Sequence, residues 1–183
     1  MTPSRTMRIA QSLYEKGHIT YMRTDSSTLS REALGALSGV IAREFGKEYG
    51  EARQYQTKSK NAQEAHEAIR PTDLARLSFN GGGADEKRLY DLISRRTLAS
   101  QMTDAQLMRT KVLSGLFAAH GSRVLFDGWL RADPDARGED VLLPTLGKGD
   151  PLTLMEARST DKETQPPSRY TEAGLVKELE KRG

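Results

Sequence analysis

Tyr21 and Arg23 stand two residues apart in the run Gly17-His18-Ile19-Thr20-Tyr21-Met22-Arg23-Thr24-Asp25-Ser26-Ser27, and four hydroxyl or carboxylate side chains follow the arginine directly. Extended backbone over residues 19–23 puts Tyr21 and Arg23 on one face, because side chains alternate along a strand. Their Cα atoms then lie about 6–7 Å apart, roughly the span that holds a phosphate between a phenol and a guanidinium. A phenol has a pKa of about 10 and attacks poorly near neutrality. A fixed cation beside it favours the phenolate and stabilises a charged phosphoryl transition state. The run is a candidate attacking tyrosine with its phosphate clamp. The same residues also suit a packing role, since a tyrosine between isoleucine and methionine commonly buries its ring and hydrogen-bonds its hydroxyl. Thr24 to Ser27 equally suit a turn followed by a helix cap.

A second run, Asn61-Ala62-Gln63-Glu64-Ala65-His66-Glu67-Ala68-Ile69-Arg70-Pro71, reads as a helix that stops at its proline. Ala62, Ala65 and Ile69 make a thin apolar stripe, and Gln63, His66, Glu67 and Arg70 share the other face. His66 and Arg70, one turn apart, would suit a phosphate, with His66 holding or shuttling a proton near its pKa. A solvated polar face with Glu67 paired to a neighbour accounts for the same pattern.

The elements that must position these runs follow from periodicity. Thr2 caps a first helix with Pro3 at its first position; Met7, Ala10, Leu13 and Tyr14 form its stripe, and Gly17 stops it before Tyr21. Ser30 caps a second helix, with Leu34, Leu37, Ile41 and Phe45 at helical spacing and Gly46 at its end. Residues 47–60 are polar and loop-like. After a loop at Gly81-Gly82-Gly83, a third helix is expected from Asp85 to Met102, with Leu89, Leu92, Ile93 and Leu98 inward. The texture then changes: residues 104–158 carry short apolar runs broken by turn signals at Gly121, Asp133-Pro134, Arg137-Gly138 and Gly147-Lys148-Gly149, which reads as β-strands. Asp133-Pro134-Asp135 is read as a solvated loop between strands, and Leu152 to Ala157 as a last strand. Residues 160–167 are an extended connector, and Thr171 caps a helix carrying Leu175, Val176 and Leu179. The expected fold class is α+β: a helical, helix-turn-helix-like unit with the tyrosine over residues 1–103, a β-rich unit over 104–166, and the beginning of a further helical unit over 167–183.

Composition bounds the function. The chain has 183 residues, 29% charged and 36% hydrophobic, with three histidines and no cysteine. Disulfides and a thiolate zinc site are excluded within it. No apolar run reaches membrane-spanning length and no secretory leader is visible, so a cytoplasmic setting without membrane contact is the expectation. A net charge of +3 with a pI near 9.2 permits a polyanionic partner without requiring one.

The segments GHITYMRTDSS (17–27) and NAQEAHEAIRPTD (61–73) resemble the signatures of bacterial type IA DNA topoisomerases. So do RLYDLISRRTLASQM (88–102), LFDGW (125–129) and QPPSRYTEAGLVKELEKRG (165–183). They occur in the family's order and span essentially the whole chain, and methionine at position 22 is closer to topoisomerase I than to topoisomerase III. The resemblance implies part of a toroidal enzyme that cuts one DNA strand, passes another through and reseals it without ATP, relaxing negative supercoils. It implies Tyr21 as the nucleophile forming a 5′-phosphotyrosyl bond, Arg23 as the cation on the scissile phosphate and His66 at the phosphate. Asp25 and Ser26 would orient Tyr21 or Arg23, and Arg70, Arg169 and Thr171 would contact DNA. The substrate implied is single-stranded or underwound duplex DNA near the nucleoid. Relatives hold magnesium on acidic residues of a separate Toprim domain; no such set stands in this chain, and no metal ligand is assigned here. The chain then reads as a central fragment with the nucleophile half of the active site, working with the remaining domains of the same polypeptide and inactive alone in relaxation. The alternative is a non-catalytic single-stranded DNA-binding module, with Tyr21 stacking on a base and Arg23 and Arg70 on phosphates. A tyrosine recombinase fits poorly, because its tyrosine stands near the C-terminal end.

Overall fold

The computed structural model describes residues 1–55 and 66–182. Helix α1 (Pro3–Glu15) starts where the Thr2 side chain accepts the Arg5 amide, and α2 (Arg31–Glu44) where the Ser30 side chain accepts the Ala33 amide. Both caps satisfy amides that have no partner inside the helix. Helix α3 (Ala84–Ser100) opens at Gly83, whose amide donates to the Glu86 carboxylate at 3.1 Å. The expected Leu92 is instead exposed, and the buried side of α3 is Leu89, Tyr90, Ser94, Thr97 and Leu98.

Two apolar clusters hold the helices. Ala10, Leu13, Ile19, Met22, Phe79, Leu89 and Tyr90 form one; Leu29, Ala33, Leu37, Val40, Ile41, Tyr49, Leu98, Met102 and Ala132 form the other. Helix α3 is the spine, because its first half enters the first cluster and its end enters the second. Glu86 ties α1 to α3, accepting from Lys16 Nζ at 2.6 Å and from Ser12 Oγ at 2.8 Å. These donors and the Gly83 amide pull its carboxyl down to about 2.

Strands β1 (Gln106–Ser114) and β2 (Phe117–Phe126) pair antiparallel from Leu107↔Val124 to Ser114↔Phe117. A single bridge, Ser122↔Val141, extends the pairing. The α+β class is thereby realised. Three expectations are corrected. Residues 152–157 form no strand: Leu154 and Met155 are exposed, and no described residue supplies the partner a strand needs. Asp133 is not solvated. The chain leaves β2 through single-turn segments (Gly128–Arg131, Pro134–Ala136) that return to the helices, where Asp133 is buried within 4.0 Å of Arg95 and 3.7 Å of Arg96. The third lies at the second run: residues 66–70 are not helical, while residues 61–65 fall outside the described residues. The short helix α4 (Glu172–Arg182) buries no residue.

Candidate active site around Tyr21

Helix α1 delivers the chain to Tyr21 through a sharp reversal. The His18 amide reaches back to the Leu13 carbonyl at 2.8 Å and the Gly17 amide to the Tyr14 carbonyl at 2.8 Å. This is the Schellman pattern, which needs a left-handed residue after the helix, and Gly17 supplies it at φ 72°. Ile19 and Met22 then plug into the cluster shared with Leu13 and Tyr90. Residues 19–23 are not a strand as expected, since the two buried residues are three apart and only Ile19 pairs, with Pro71. Proline has no amide to continue a ladder.

What remains is a short lacing between the two runs. The Thr20 amide donates to the Arg70 carbonyl at 2.9 Å, and the Thr72 amide to the His18 carbonyl at 3.1 Å. The Thr20 hydroxyl donates to the Ala68 carbonyl at 2.8 Å and accepts from the Arg70 amide at 2.9 Å. The Ala68 amide in turn donates to Thr28 at 2.8 Å. Segments 18–20 and 68–72, far apart in sequence, are fixed side by side.

This lacing brings Tyr21 and His66 together, with ring centroids 5.1 Å apart and planes at 43°. The His66 Nδ1 is buried and has no hydrogen-bond partner among the described residues. Such an atom is costly to leave bare. Arg23 is exposed, and no hydrogen bond or ion pair occupies its guanidinium among the described residues. Arg70 differs: it is turned inward, its Nε donating to Glu67 at 2.7 Å and its Nη1 to the Pro71 carbonyl at 3.0 Å. Burial pushes the Glu67 carboxyl up, but hydrogen bonds from Ser30 and Arg70 outweigh it and hold the carboxyl below its ordinary value.

Ser26 accepts the Thr28 amide at 3.2 Å and gives its own amide to Thr24 Oγ1 at 3.0 Å, so it shapes the turn after Arg23. Asp25 stands in the same turn. Thr171 accepts the Gly174 amide at 3.1 Å and caps α4; Arg169 is exposed just before it. No packing within the described residues carries these two to Tyr21. A cleft of about 660 Å³, lined among others by Leu29, Tyr55, Ile69, Arg96 and Trp129, includes none of Tyr21, Arg23 and His66. Among the described residues no three carboxylates or imidazoles converge on a cation position, so they do not fit a magnesium site. Periodicity puts Tyr14 in the apolar stripe of α1, but it is exposed and its ring lies 5.2 Å from that of Tyr21; for Thr20 the only available signal is its hydroxyl inside the first run.

The chain belongs to the DNA topoisomerase family, whose model matches residues 1–183. Over its full length the chain is 49% identical to DNA topoisomerase 1 of Synechococcus elongatus, and it spans 22% of that protein. It is 48% identical to the Salmonella typhimurium protein of the same name and 47% to that of Escherichia coli, over 98% of this chain and 22% of each relative. Full-length topoisomerase I from Thermotoga maritima superposes with a TM-score of 0.74 at 31% identity, over 99% of this chain and 32% of that one. The chain thus spans about a fifth of the length of these curated relatives.

Proposed function

We propose that this chain carries the nucleophile half of a type IA topoisomerase active site, which breaks and rejoins single-stranded DNA through a 5′-phosphotyrosine and so relaxes negative supercoils. The Tyr21 oxygen attacks the scissile phosphorus as the P–O3′ bond breaks; the phenol gives up its proton and the leaving 3′ oxygen gains one. Rejoining is the reverse, so bond energy is conserved and no nucleotide is consumed. The juxtaposition of Tyr21 and His66 from two distant runs is the observation that carries this reading.

Each residue then has a role. Arg23, exposed and unpaired among the described residues, neutralises the phosphate. His66 offers its Nδ1, unpartnered among the described residues, as donor to a phosphate or ribose oxygen. Asp25 and Ser26 shape the turn that aims Arg23. Arg70, paired with Glu67, braces the His66 segment more than it grips DNA. Arg169 and Thr171 contact the strand farther along. Magnesium, needed by the complete enzyme, is held by residues outside this chain. Residues 1–103, 104–166 and 167–183 act as three units, joined in one polypeptide with the remaining domains, and the protein works in the cytoplasm on nucleoid DNA that is single-stranded or underwound.

The test is covalent capture. The chain is grafted over the matching segment of the Escherichia coli relative, incubated with labelled single-stranded DNA with and without magnesium, and denatured. A protein–DNA adduct that Tyr21→Phe abolishes supports the reading. DNA binding that survives Tyr21→Phe with no adduct in either protein refutes it and leaves a non-catalytic binding module.

A further inference from the structure

Tyr14 is an aromatic residue that packing alone does not explain. It stands in the last turn of α1, is 41% exposed, and belongs to neither apolar cluster. Its hydroxyl has no hydrogen-bond partner among the described residues. Yet its ring meets the Tyr21 ring edge-on, at 5.2 Å between centroids and 68° between planes. The Tyr21 ring therefore has two aromatic neighbours, Tyr14 from α1 and His66 from the laced segment. Edge-to-face pairs are directional, because the positive edge of one ring seeks the negative face of the other.

The backbone brings the two residues together. The Gly17 reversal folds the chain back along the end of α1, and the carbonyl that accepts the Gly17 amide is that of Tyr14 itself. The two rings are thus set by one turn, with Ile19 and Met22 anchoring the far side. A tyrosine has two side-chain torsions to fix before its oxygen can approach phosphorus in line. Reaction geometry of this kind tolerates little displacement, with reacting atoms about 3–3.5 Å apart and orbitals aligned.

We propose that Tyr14 is a positioning residue for strand cleavage: its ring edge confines the Tyr21 ring to the orientation that also touches His66. The proposal rests on Tyr21 being the nucleophile. It needs the ring of Tyr14 and not its hydroxyl.

Three variants test it, and the exposure of Tyr14 keeps them foldable. In the grafted protein, Tyr14→Phe is expected to form adduct at the unsubstituted rate. Tyr14→Leu and Tyr14→Ala are expected to slow single-turnover adduct formation at saturating DNA by roughly three- to tenfold, the size of one lost aromatic pair, with DNA affinity unchanged. The 183-residue chain gives a second readout independent of catalysis: the nuclear Overhauser contacts between the Tyr21 and His66 rings, 5.1 Å apart, should weaken in Tyr14→Leu and persist in Tyr14→Phe. An unchanged adduct rate in Tyr14→Ala overturns the proposal. So does a fall in affinity with the saturated rate preserved, which makes Tyr14 a DNA-stacking residue. If the unsubstituted graft forms no adduct, the functional reading fails. The Tyr21–His66 ring contacts then still decide whether Tyr14 orients Tyr21, and their persistence in Tyr14→Leu refutes positioning.

Discussion

Gly17 and Gly128 both sit in the left-handed region, at φ 72° and φ 48°, and replacing each with alanine separates two costs that are often confounded. A Cβ added at Gly17 meets nothing within 4 Å. The whole penalty there is backbone strain, about 1–2 kcal/mol, partly offset by about 0.4–1 kcal/mol because alanine also stiffens the unfolded chain. Gly17→Ala should therefore cost about 1 kcal/mol, and Gly17→Asn less, since asparagine tolerates this conformation. A Cβ at Gly128 would lie 2.6 Å from the Thr103 and Asp104 carbonyl oxygens and 2.7 Å from the Ala105 nitrogen. These are backbone atoms and cannot swing away, so a further cost of about 1–3 kcal/mol is expected from overpacking. Gly128→Ala should lose about 2–4 kcal/mol in all. Urea unfolding followed by circular dichroism reads both losses. Fluorescence of Trp129, the single tryptophan, reports the Gly128 turn locally. Equal losses, or a greater loss at Gly17, would refute the reasoning. So would a Gly17→Asn variant weaker than Gly17→Ala.

Four further outcomes follow from the same packing. Met22→Ala empties a buried position beside Tyr21 and should cost about 2–5 kcal/mol by urea denaturation; a change below about 1 kcal/mol would show that Met22 does not anchor the segment. Thr20→Val keeps the shape but strands the Ala68 carbonyl and Arg70 amide, so about 1–3 kcal/mol of stability should go. Adduct formation by the grafted protein should fall with it, and full activity would separate the lacing from the chemistry. Glu86 has a folded-state pKa of about 2, below its unfolded value near 4.5, so its stabilisation is fully present above about pH 4.5 and is lost as pH falls toward 2; the melting-temperature gap between the unsubstituted chain and Glu86→Gln should close over that window, and a pH-independent gap would contradict it. Leu113, Leu116 and Phe117 at the tip of an otherwise exposed hairpin should make the isolated chain self-associate, so a monodisperse monomer by light scattering at high concentration would count against that expectation.

Local chemistry determined much of this protein without help from the fold. Thr2-Pro3 and Ser30 start helices because a hydroxyl there satisfies amides the helix cannot, and Gly17 ends one because few other residues accept its backbone angle. Leu13, Leu37, Ile41 and Leu98 are buried as their spacing implies. The motifs at 17–27 and 61–73 were legible because a phenol, guanidinium groups and an imidazole stand in them at close spacing. Tertiary structure decided the rest. Residues 19–23 look like a strand by composition, yet Pro71 opposite them cannot extend a ladder. Residues 66–70 read as helix by spacing, but their hydrogen bonds go to Thr20 and Thr28, partners that periodicity cannot see. Asp133 resembles a turn residue until the return from β2 buries it beside Arg95 and Arg96. Arg70 looks like a free cation until the fold pairs it with Glu67. The sequence alone singles out Tyr21, Arg23 and His66 as candidates; that the Tyr21 ring meets both His66 and Tyr14 is decided by the fold, through one glycine reversal and one threonine hydroxyl.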